Sequence, residues 1–432
     1  MSCSSNDNEI STDQDASKDD TNNSTPNILL IIADDMGIDA TSGYVLGNEK
    51  KPNTPNIEAL MQNGIKYTNV WSAPLCTPTR GGMITGKYGF RTGVTMVGDA
   101  LDTSETTLQE HIRQSSNYET AVIGKWHLGS RNDEMHPNNA GVGYYAGYLS
   151  GAVTSYTNWN LTINGVTTTE TSYVTSKYTD LAIDWIKAQD DKPWFLWLAH
   201  NAPHDPYEYP PESLYETNGL PPVDADFTED HRKFFAMIEA MDKEIGRLLD
   251  SMDEITRNNT TIIFVGDNGT GGSVSQVYNS RRAKGSVFQG GVNVPMVISG
   301  KGVSRQNATD HSLISTVDLY ATITEIINET PPSDSNDSVS FASTFNGNNT
   351  NARSFVFTEI ENNDGTFNRA IRNATHKYIS VEDDKEEYLY NLSSNPLENP
   401  NLLSSNQAPL STDNENELNT LLAEKDRILQ NQ

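Results

Sequence analysis

Continuous apolar runs alternate with amphipathic stretches along most of the first 330 residues. Each run is apolar throughout, which is typical of a strand buried on both faces of a parallel sheet. The stretches between the runs repeat apolar residues at the spacing of helices that pack on a sheet. The pattern predicts an α/β protein with a large, mostly parallel sheet flanked by helices. The predicted strands are residues 27–33, 119–123, 194–199, 261–265 and 294–298.

Local signals place the helices between these strands. Thr54-Pro55 predicts a helix start, with Thr54 as N-cap and Pro55 in the first turn, and Gly64 predicts its end. Apolar repeats predict further helices around residues 178–186, 231–252 and 313–327.

The pattern changes after residue 330. Residues 331–352 are polar and rich in Pro, Asn and Ser, which predicts a loop or linker. Shorter alternating segments follow, and they predict a small C-terminal subdomain with an antiparallel sheet. We therefore expect four parts: a tether of residues 1–25, a main domain of 26–330, the linker of 331–352 and a subdomain of 353–432.

The first 25 residues carry six acidic residues, one lysine and one aliphatic residue, so we expect a disordered acidic tether. No apolar signal core precedes it, which taken literally indicates a cytosolic protein. A second hypothesis is that Cys3, followed by serines and acidic residues, resembles the start of a mature bacterial lipoprotein. Met1-Ser2 would then replace a removed signal. This hypothesis predicts a lipid anchor at Cys3 and a location in the periplasm or at the cell surface.

Composition excludes several classes of protein. The 432 residues include 58 acidic and 30 basic side chains, for a net charge of −28. Nucleic-acid backbones need clusters of Lys and Arg, so we expect no nucleic-acid partner, and solubility accounts for the charge. The sequence contains no run of roughly 18 apolar residues, so we expect no membrane-spanning segment. Two cysteines, Cys3 and Cys76, are too few for a disulfide scaffold, and we expect no bridge between them.

Polar residues directly follow four of the predicted strands. The carboxyl ends of parallel strands meet at one edge of the sheet, where open α/β sheets bind ligands. Taken singly, each of these residues has an ordinary explanation as a turn, a helix cap or a surface group. Four such coincidences predict one shared site. Its members are Asp34 and Asp35, Lys125 and His127, His200 and His204, and Asp267 and Asn268.

The residue types indicate the chemistry of this site. Four hard oxygen donors suit Ca²⁺ or Mg²⁺ better than zinc; they are Asp34, Asp35, Asp267 and Asn268. Three cations beside such a metal would bind a tetrahedral anion, which is a sulfate, a phosphate or an ester of either; they are Arg80, Lys125 and Lys284. His127 and His204 are available for proton transfer near neutral pH.

Cys76 has three interpretations. It is a buried structural cysteine, or a thiolate whose pKa Arg80 lowers, or a residue that is modified. The spacing Cys76-x-Pro78-x-Arg80 resembles the formylglycine sequence of type I sulfatases, in which this cysteine is oxidised to an aldehyde. Further segments resemble the same family in the same order, and together they cover about residues 27–300. They are residues 124–129 (GKWHLG), 202–204 (APH), 267–269 (DNG) and 284–291, with 387–399 resembling a sulfatase C-terminus.

This resemblance implies the alkaline-phosphatase-like fold, a Ca²⁺ site (Mg²⁺ being the less expected ion) and a formylglycine-generating maturation enzyme. Formylglycine made from Cys76 would be both metal ligand and nucleophile, beside the metal ligands Asp34, Asp35, Asp267 and Asn268. Arg80 and Lys125 would hold its hydroxyls and the sulfate oxygens. His127 would be the base, and His204 and Lys284 would lie at the leaving oxygen.

The mechanism implied by the resemblance uses both hydroxyls of the hydrated aldehyde. One hydroxyl attacks sulfur in line. His127 then removes the proton of the second hydroxyl, so the aldehyde re-forms and sulfate leaves. A serine at position 76 lacks that second hydroxyl and would stop after one turnover.

The family hydrolyses sulfate esters of many alcohols, and the acidic, lipoprotein-like chain favours a sulfated algal polysaccharide or its oligosaccharides. Tyr145 and Trp159 lie in residues 141–160, which we interpret as a long loop near the pocket mouth. Arg281 and Arg282 would pair with a carboxylate or second sulfate of the substrate. Simple loop anchoring and a solvated basic turn are the alternatives. The full set of candidate sugar contacts is Tyr145, Trp159, His200, Asp205, Arg281 and Arg282.

Two other functions stay open, as do exo and endo action on a glycan. One is a phosphodiesterase or phosphonate monoester hydrolase of the same superfamily. The other is a non-catalytic, glycan-binding surface protein with an unmodified Cys76.

Overall fold

The computed structural model describes Met1 and residues 25–335, 337–348 and 353–430. Cys3 and nearly all of the predicted acidic tether lie outside these residues, as does part of the predicted linker. Within the described ranges, no helix combines the length and the apolar character needed to cross a membrane.

A ten-stranded sheet forms the centre of the molecule. Its strands are β1 (Asn27–Ala33), β2 (Gly64–Trp71), β3 (Glu119–Lys125), β4 (Tyr144–Tyr148), β5 (Trp159–Ile163), β6 (Val166–Glu170), β7 (Trp194–Ala199), β8 (Thr260–Gly266), β9 (Met296–Gly300) and β10 (Ala308–Ser315). They lie in the order β10-β2-β9-β8-β1-β7-β3-β4-β5-β6. The five strands from β8 to β4 are mutually parallel, while β9, β5 and β6 pair antiparallel with their neighbours.

Helices cover both faces of this sheet, and the last one lies at the C-terminus. They are α1 (Pro55–Gln62), α2 (Cys76–Thr85), α3 (Gly89–Thr92), α4 (Leu108–Ser115), α5 (His136–Asn139), α6 (Val174–Lys187), α7 (Glu229–Asp250), α8 (Glu254–Asn258), α9 (Gln289–Val292), α10 (Asp318–Ile326) and α11 (Thr412–Gln430). Short 3-10 turns occur at Ile38–Ala40, Glu212–Leu214, Ala342–Asn346 and Ser405–Gln407.

The apolar runs are strands because both of their faces are buried. In β1, Leu29 and Ile31 join the core that contains α6 and α7, while Ile28, Leu30 and Ile32 join the core that contains α2, α4 and α10. Successive side chains of a strand point to opposite faces, so only a continuously apolar strand can supply both cores. The predicted α/β architecture is confirmed.

A second, four-stranded antiparallel sheet follows. It consists of β11 (Val356–Glu361), β12 (Phe367–Arg372), β13 (His376–Val381) and β14 (Glu386–Asn391), in that spatial order, and α11 packs on β12 and β13. We refer to β11–β14 as the C-terminal sheet. This small antiparallel sheet confirms the prediction from the alternating segments.

Two local predictions are wrong. Residues 313–315 end strand β10, where they pair with β2, and helix α10 begins only at Asp318. Helix α1 does begin at Pro55, but the Thr54 hydroxyl makes no capping hydrogen bond. Asp242 of α7 caps α1 instead, because its carboxylate accepts hydrogen bonds from the backbone N–H of Ile57 at 2.7 Å and of its neighbour at 3.1 Å.

Candidate active site

Strands β1 and β8 bring two acidic turns side by side. Ala33 pairs with Gly266 across the two strands, so Asp34 and Asp267 start from adjacent backbone positions. Asp35 adopts a left-handed backbone conformation (φ 67°), and its N–H donates to Asp267 Oδ1 at 3.1 Å. All the carboxylates here are buried. The predicted meeting of strand ends therefore occurs, and it concentrates negative charge at one point.

Two buried oxygens of this cluster lack any hydrogen-bond partner, namely Asp34 Oδ1 and Asn268 Oδ1. Asn268 uses its amide nitrogen to donate to Asp35 Oδ1 at 2.8 Å, which leaves its oxygen free. Buried oxygens without partners are costly, and a hard divalent cation satisfies them. Ligand atoms of Asp34, Asp35 and His204 also lie within 4.8 Å of one another. The donor set thus fits a divalent cation.

Each of the three acids also contacts a basic side chain. The pairs are Lys125 Nζ with Asp34 Oδ2 at 2.6 Å, Arg80 Nη2 with Asp267 Oδ2 at 2.8 Å and Lys284 Nζ with Asp35 Oδ1 at 2.6 Å. Burial alone would raise the pKa of Asp34, but Lys125 and the other nearby cations outweigh it and hold that pKa well below its usual range. Asp34 therefore stays ionised, and the juxtaposition of acidic and basic side chains suits the binding of a cation and of an anion together.

The electrostatic environment of Asp267 also favours a bound cation at this site. Burial and the charge of Asp34 raise the pKa of Asp267 to about 6, although Arg80 and Lys125 oppose this shift. A divalent ion between the two carboxylates would remove their repulsion.

Cys76 opens helix α2 and is only 2% exposed. Its Sγ lies 3.2 Å from Nδ1 of His127. Burial raises the pKa of the Cys76 thiol despite the nearby Lys125. Arg80 is engaged elsewhere, with Asp267 and with the carbonyl of Lys125 at 2.9 Å. The interpretation of Cys76 as a thiolate activated by Arg80 is therefore wrong.

The pKa values of the two histidines are shifted in opposite directions. Burial, helped by Lys125, lowers the pKa of His127 to about 2, so its ring is neutral. Burial lowers the pKa of His204 as well, but Asp35 and Asp34 outweigh it and raise that pKa above its ordinary value. Such a pair supplies a base and an acid at the same pH. The raised pKa suits His204 to proton donation.

Close approach of strands shapes the floor of the site. A Cβ at Gly124, whose φ is 114°, would lie 1.9 Å from the carbonyl oxygen of Ala199 on β7. Only glycine allows β3 and β7 this proximity. Lys125 follows directly, so the tight packing carries its ammonium group to Asp34.

The predictions for Tyr145 and Trp159 are wrong. Residues 141–160 contain strand β4 and the start of β5 rather than one long loop. Tyr145 is fully buried in one core, and Trp159, 2% exposed, packs against Tyr178 in the other. Alternating burial in strands places both aromatic rings in the cores.

Two further candidate sugar contacts are also unavailable. His200 is fully buried beside Tyr178, and burial lowers its pKa to about 3. Arg282 lies over the ring of Phe288 at 4.6 Å and donates to the backbone carbonyl of Glu398 at 2.9 Å. Both residues are held by internal contacts.

Asp205 and Arg281 remain accessible. The Asp205 side chain is 64% exposed, and its Oδ1 lies 2.9 Å from His204 Nδ1. Arg281 is exposed three residues before Lys284. Their proposed role in substrate binding stays a prediction.

Sequence reasoning missed the residues that brace the acidic turns. Thr270 Oγ1 accepts from the backbone N–H of Gly37 at 3.1 Å and donates to Asp39 Oδ1 at 2.6 Å. Ser275 donates to the other Asp39 oxygen at 2.8 Å. The available signal was the run of small polar residues directly after Asp267-Asn268-Gly269, to which the sequence prediction assigned no role.

The chain belongs to the sulfatase family, because the sulfatase family model matches residues 26–328. This confirms the resemblance noted from the motifs. Among relatives, arylsulfatase G of Mus musculus is 27% identical over 360 residues, which is 69% of this chain and 64% of that protein. N-acetylgalactosamine-6-sulfatase of Homo sapiens is 28% identical over 353 residues, or 72% of this chain and 63% of that protein. The chain thus spans less than two thirds of the length of these relatives.

Solved structures agree on the fold. The structure of Ps i-CgsB in complex with k-i-k-neocarrahexaose superposes with a TM-score of 0.77 at 25% identity and covers 92% of both chains. BT4656 in complex with its substrate D-glucosamine-2-N,6-O-disulfate has a TM-score of 0.79 at 19% identity, covering 94% of this chain and 99% of that one. Both sheets of the molecule therefore follow a known sulfatase architecture.

Proposed function

We propose that residues 26–330 form a catalytic domain that hydrolyses sulfate esters of oligo- or polysaccharides. One observation carries the proposal. Cys76 and the neutral His127 are 3.2 Å apart, next to buried oxygens that suit a cation and amino groups that suit an anion. Membership in the sulfatase family supports the same conclusion.

The cofactors are part of this proposal. We propose that a formylglycine-generating enzyme oxidises Cys76, and that the hydrated aldehyde supplies one hydroxyl as the nucleophile and a second that permits sulfate release. The ion is proposed to be Ca²⁺, because all the donors are hard oxygens and their number suits Ca²⁺ better than Mg²⁺. It would neutralise charge on the sulfuryl oxygens. Its ligands would be Asp34, Asp35, Asp267 and Asn268 together with residue 76.

The chain's own residues would perform the remaining tasks. Arg80 and Lys125, both buried and charged, would hold sulfuryl oxygens as negative charge develops on them. His204, with its raised pKa, would give its proton to the departing alcohol, and Lys284 would lie beside the same oxygen. His127 would accept a proton from residue 76, because its ring is neutral and its Nδ1 lies 3.2 Å from Cys76 Sγ.

A sulfated carbohydrate is the substrate class that the relatives support. Ps i-CgsB was solved with a neocarrahexaose, and the human relative is named for sulfated N-acetylgalactosamine. Exposed Asp205 and Arg281 are the proposed sugar contacts of this chain. A lipid anchor at Cys3 and a periplasmic or surface location stay part of the proposal.

Ion chromatography of released sulfate and phosphate tests the function directly. The protein, co-expressed with a formylglycine-generating enzyme, would receive sulfated algal oligosaccharides, glycosaminoglycan disaccharides, an aryl sulfate and an aryl phosphodiester. Sulfate from a glycan supports the proposal. Phosphate without sulfate indicates a phosphodiesterase instead. If neither is released although mass spectrometry shows a converted Cys76, either the sulfated substrate lies outside this panel or the chain binds glycans without cleaving them.

We expect His127→Ala to slow turnover by roughly 10²- to 10⁴-fold, the usual contribution of a general base. The base would act after the ester bond breaks, so 4-nitrophenyl sulfate should give a rapid burst of about one equivalent of 4-nitrophenol and then little more. Stopped-flow absorbance measures both phases. Because the pKa of His127 is lowered to about 2, its protonation should not limit wild-type turnover until the pH falls towards that value.

His311→Ala is the matched control, since His311 is exposed on β10 and contacts Thr68. It should keep wild-type kinetics. Steady wild-type turnover by His127→Ala would remove His127 from the mechanism.

A further inference from the structure

The segment that carries Lys284 has no regular secondary structure of its own. We refer to residues 282–289, which end at the first residue of α9, as the Lys284 loop. Two backbone hydrogen bonds tie it to the acidic and nucleophile turns: Lys284 N–H donates to the Thr270 carbonyl at 3.1 Å, and Gly285 N–H donates to the Pro74 carbonyl at 2.9 Å. These two bonds involve only Lys284 and Gly285, so they do not hold the far end of the loop, residues 287–289.

The C-terminal sheet holds that far end through a buried ion pair. Lys377 of β13 and Glu398 are both fully buried, with Nζ and Oε1 2.7 Å apart. Lys377 Nζ also donates to the Val287 carbonyl at 2.7 Å, and Glu398 Oε2 accepts from the Gln289 N–H at 3.0 Å. One acid and one base thus each bind the backbone of the loop.

Contacts from the same part of the chain hold the near end. Arg282 donates to the backbone carbonyl of Glu398 at 2.9 Å and to the hydroxyl of Tyr390 at 3.3 Å. Its guanidinium group also lies 4.6 Å from the ring centre of Phe288. The loop is therefore fixed on both sides of Lys284, by residues 90 or more positions further along the chain than the loop residues that they bind.

The nature of the pair argues for a positioning role. Burying two charges is unfavourable, and well-packed apolar side chains of similar size serve stability at least as well. Burial lowers the pKa of Lys377 to about 8 although Glu398 opposes the shift, which shows how strongly this site disfavours charge. Lys377 also lies over the ring of Trp71 at 4.5 Å. The two charged side chains provide directional hydrogen bonds, because Lys377 donates to one defined backbone carbonyl and Glu398 accepts from one defined backbone N–H.

We propose that Lys377 and Glu398 are positioning residues, through which the C-terminal sheet sets the place of the Lys284 ammonium group at the leaving oxygen. This inference rests on the proposed sulfatase activity. Stabilisation of a leaving oxygen matters most when the departing alcohol is a poor leaving group. A misplaced Lys284 should therefore harm hydrolysis of alkyl sulfates much more than hydrolysis of 4-nitrophenyl sulfate.

The test compares kcat/KM for a simple alkyl sulfate and for 4-nitrophenyl sulfate in the full chain with converted Cys76. Lys377→Met and Glu398→Gln each break the pair, and the double variant Lys377→Met/Glu398→Met leaves no unpaired charge. We expect the alkyl sulfate to lose about tenfold more kcat/KM than the aryl sulfate. Lys284→Ala should show the same selectivity, and combining it with the double variant should add little further loss.

Glu359→Gln is the matched control. Glu359 is another buried acid of the C-terminal sheet, and it accepts from the Phe90 N–H at 2.8 Å without touching the Lys284 loop. It should lower activity on both substrates equally or not at all. Equal losses on both substrates in the Lys377 and Glu398 variants would overturn the inference, because they indicate a general structural role.

Hydrogen exchange separates this inference from the proposed function. If the wild type releases no sulfate from either ester or from any glycan of the panel, the proposed function fails. The positioning role is then decided by amide exchange, which should rise at residues 282–289 of the double variant and stay unchanged in β1. Unchanged exchange in the loop would overturn the inference whatever the activity.

Discussion

Replacing Cys76 with alanine is expected to abolish sulfate release, with kcat/KM falling by on the order of 10⁵-fold or more. The loss should be this large because alanine provides neither the proposed nucleophile nor its second hydroxyl. Alanine is smaller than cysteine and occupies the first turn of α2, so the helix should form unchanged. Ion chromatography of sulfate from a glycan and from an aryl sulfate measures the effect.

Two companion variants sharpen this experiment. Cys3→Ala removes the other cysteine of the chain and should keep full activity. Cys76→Ser provides one hydroxyl only, so it should release about one equivalent of aryl alcohol and then stop. Sulfate turnover by Cys76→Ala at the wild-type rate would exclude residue 76 as nucleophile and leave the site without its proposed chemistry.

Asp34→Asn is expected to remove both divalent-ion binding and turnover. The carboxylate oxygen Asp34 Oδ1 is buried without a partner, and an amide in its place offers the ion a neutral ligand. Ca²⁺ at roughly 100 times its Kd should stabilise the wild type by about 2.7 kcal/mol, and this gain should vanish in the variant. Thermal unfolding with and without Ca²⁺ measures it, and elemental analysis of the purified protein gives the ion content.

A second variant distinguishes loss of ion binding from loss of folding. Asp34→Asn leaves the buried Lys125 without its ionised partner, whereas Asn268→Ala removes an oxygen donor and creates no unpaired charge. Asn268→Ala should weaken the Ca²⁺ gain as well. Asp242→Asn is the control: this buried acid caps α1 far from the site, so the variant should lose stability yet keep the full Ca²⁺ gain. A full gain in Asp34→Asn would end the assignment of the metal site.

Much of the fold and of the catalytic core could be predicted because both depend on strands buried on two faces. An apolar run such as residues 27–33 has no stable alternative to such a strand, and a polar residue directly after it must lie at the sheet edge. That pattern alone predicts that Asp34, Lys125 and Asp267 lie close together. The resemblance to sulfatase motifs then supplied the proposed roles of these residues.

The predictions that failed concern residues whose contacts the local sequence pattern does not reveal. Arg281 and Arg282 are indistinguishable in the sequence, yet one is exposed and the other lies against Phe288 because the C-terminal sheet is there. Trp159 was interpreted as a loop residue because Gly, Tyr and Asn dominate its surroundings, although the pairing of β5 with β4 and β6 buries it. No sequence pattern indicates that Lys377 and Glu398 are buried, since charged residues in a short strand and a turn are expected at the surface.

The burial of Cys76 has a consequence for when the protein can mature. All ten residues of α2 are buried, and Cys76 lies at the beginning of that helix with its Sγ 3.2 Å from Nδ1 of His127. An enzyme that oxidises this thiol would have to draw it into its own catalytic cleft, which the finished fold does not permit. Oxidation would therefore have to occur on the nascent or unfolded chain, before folding buries the thiol. A molecule that folds before oxidation would stay permanently inactive, and later addition of the maturation enzyme would rescue it only after unfolding.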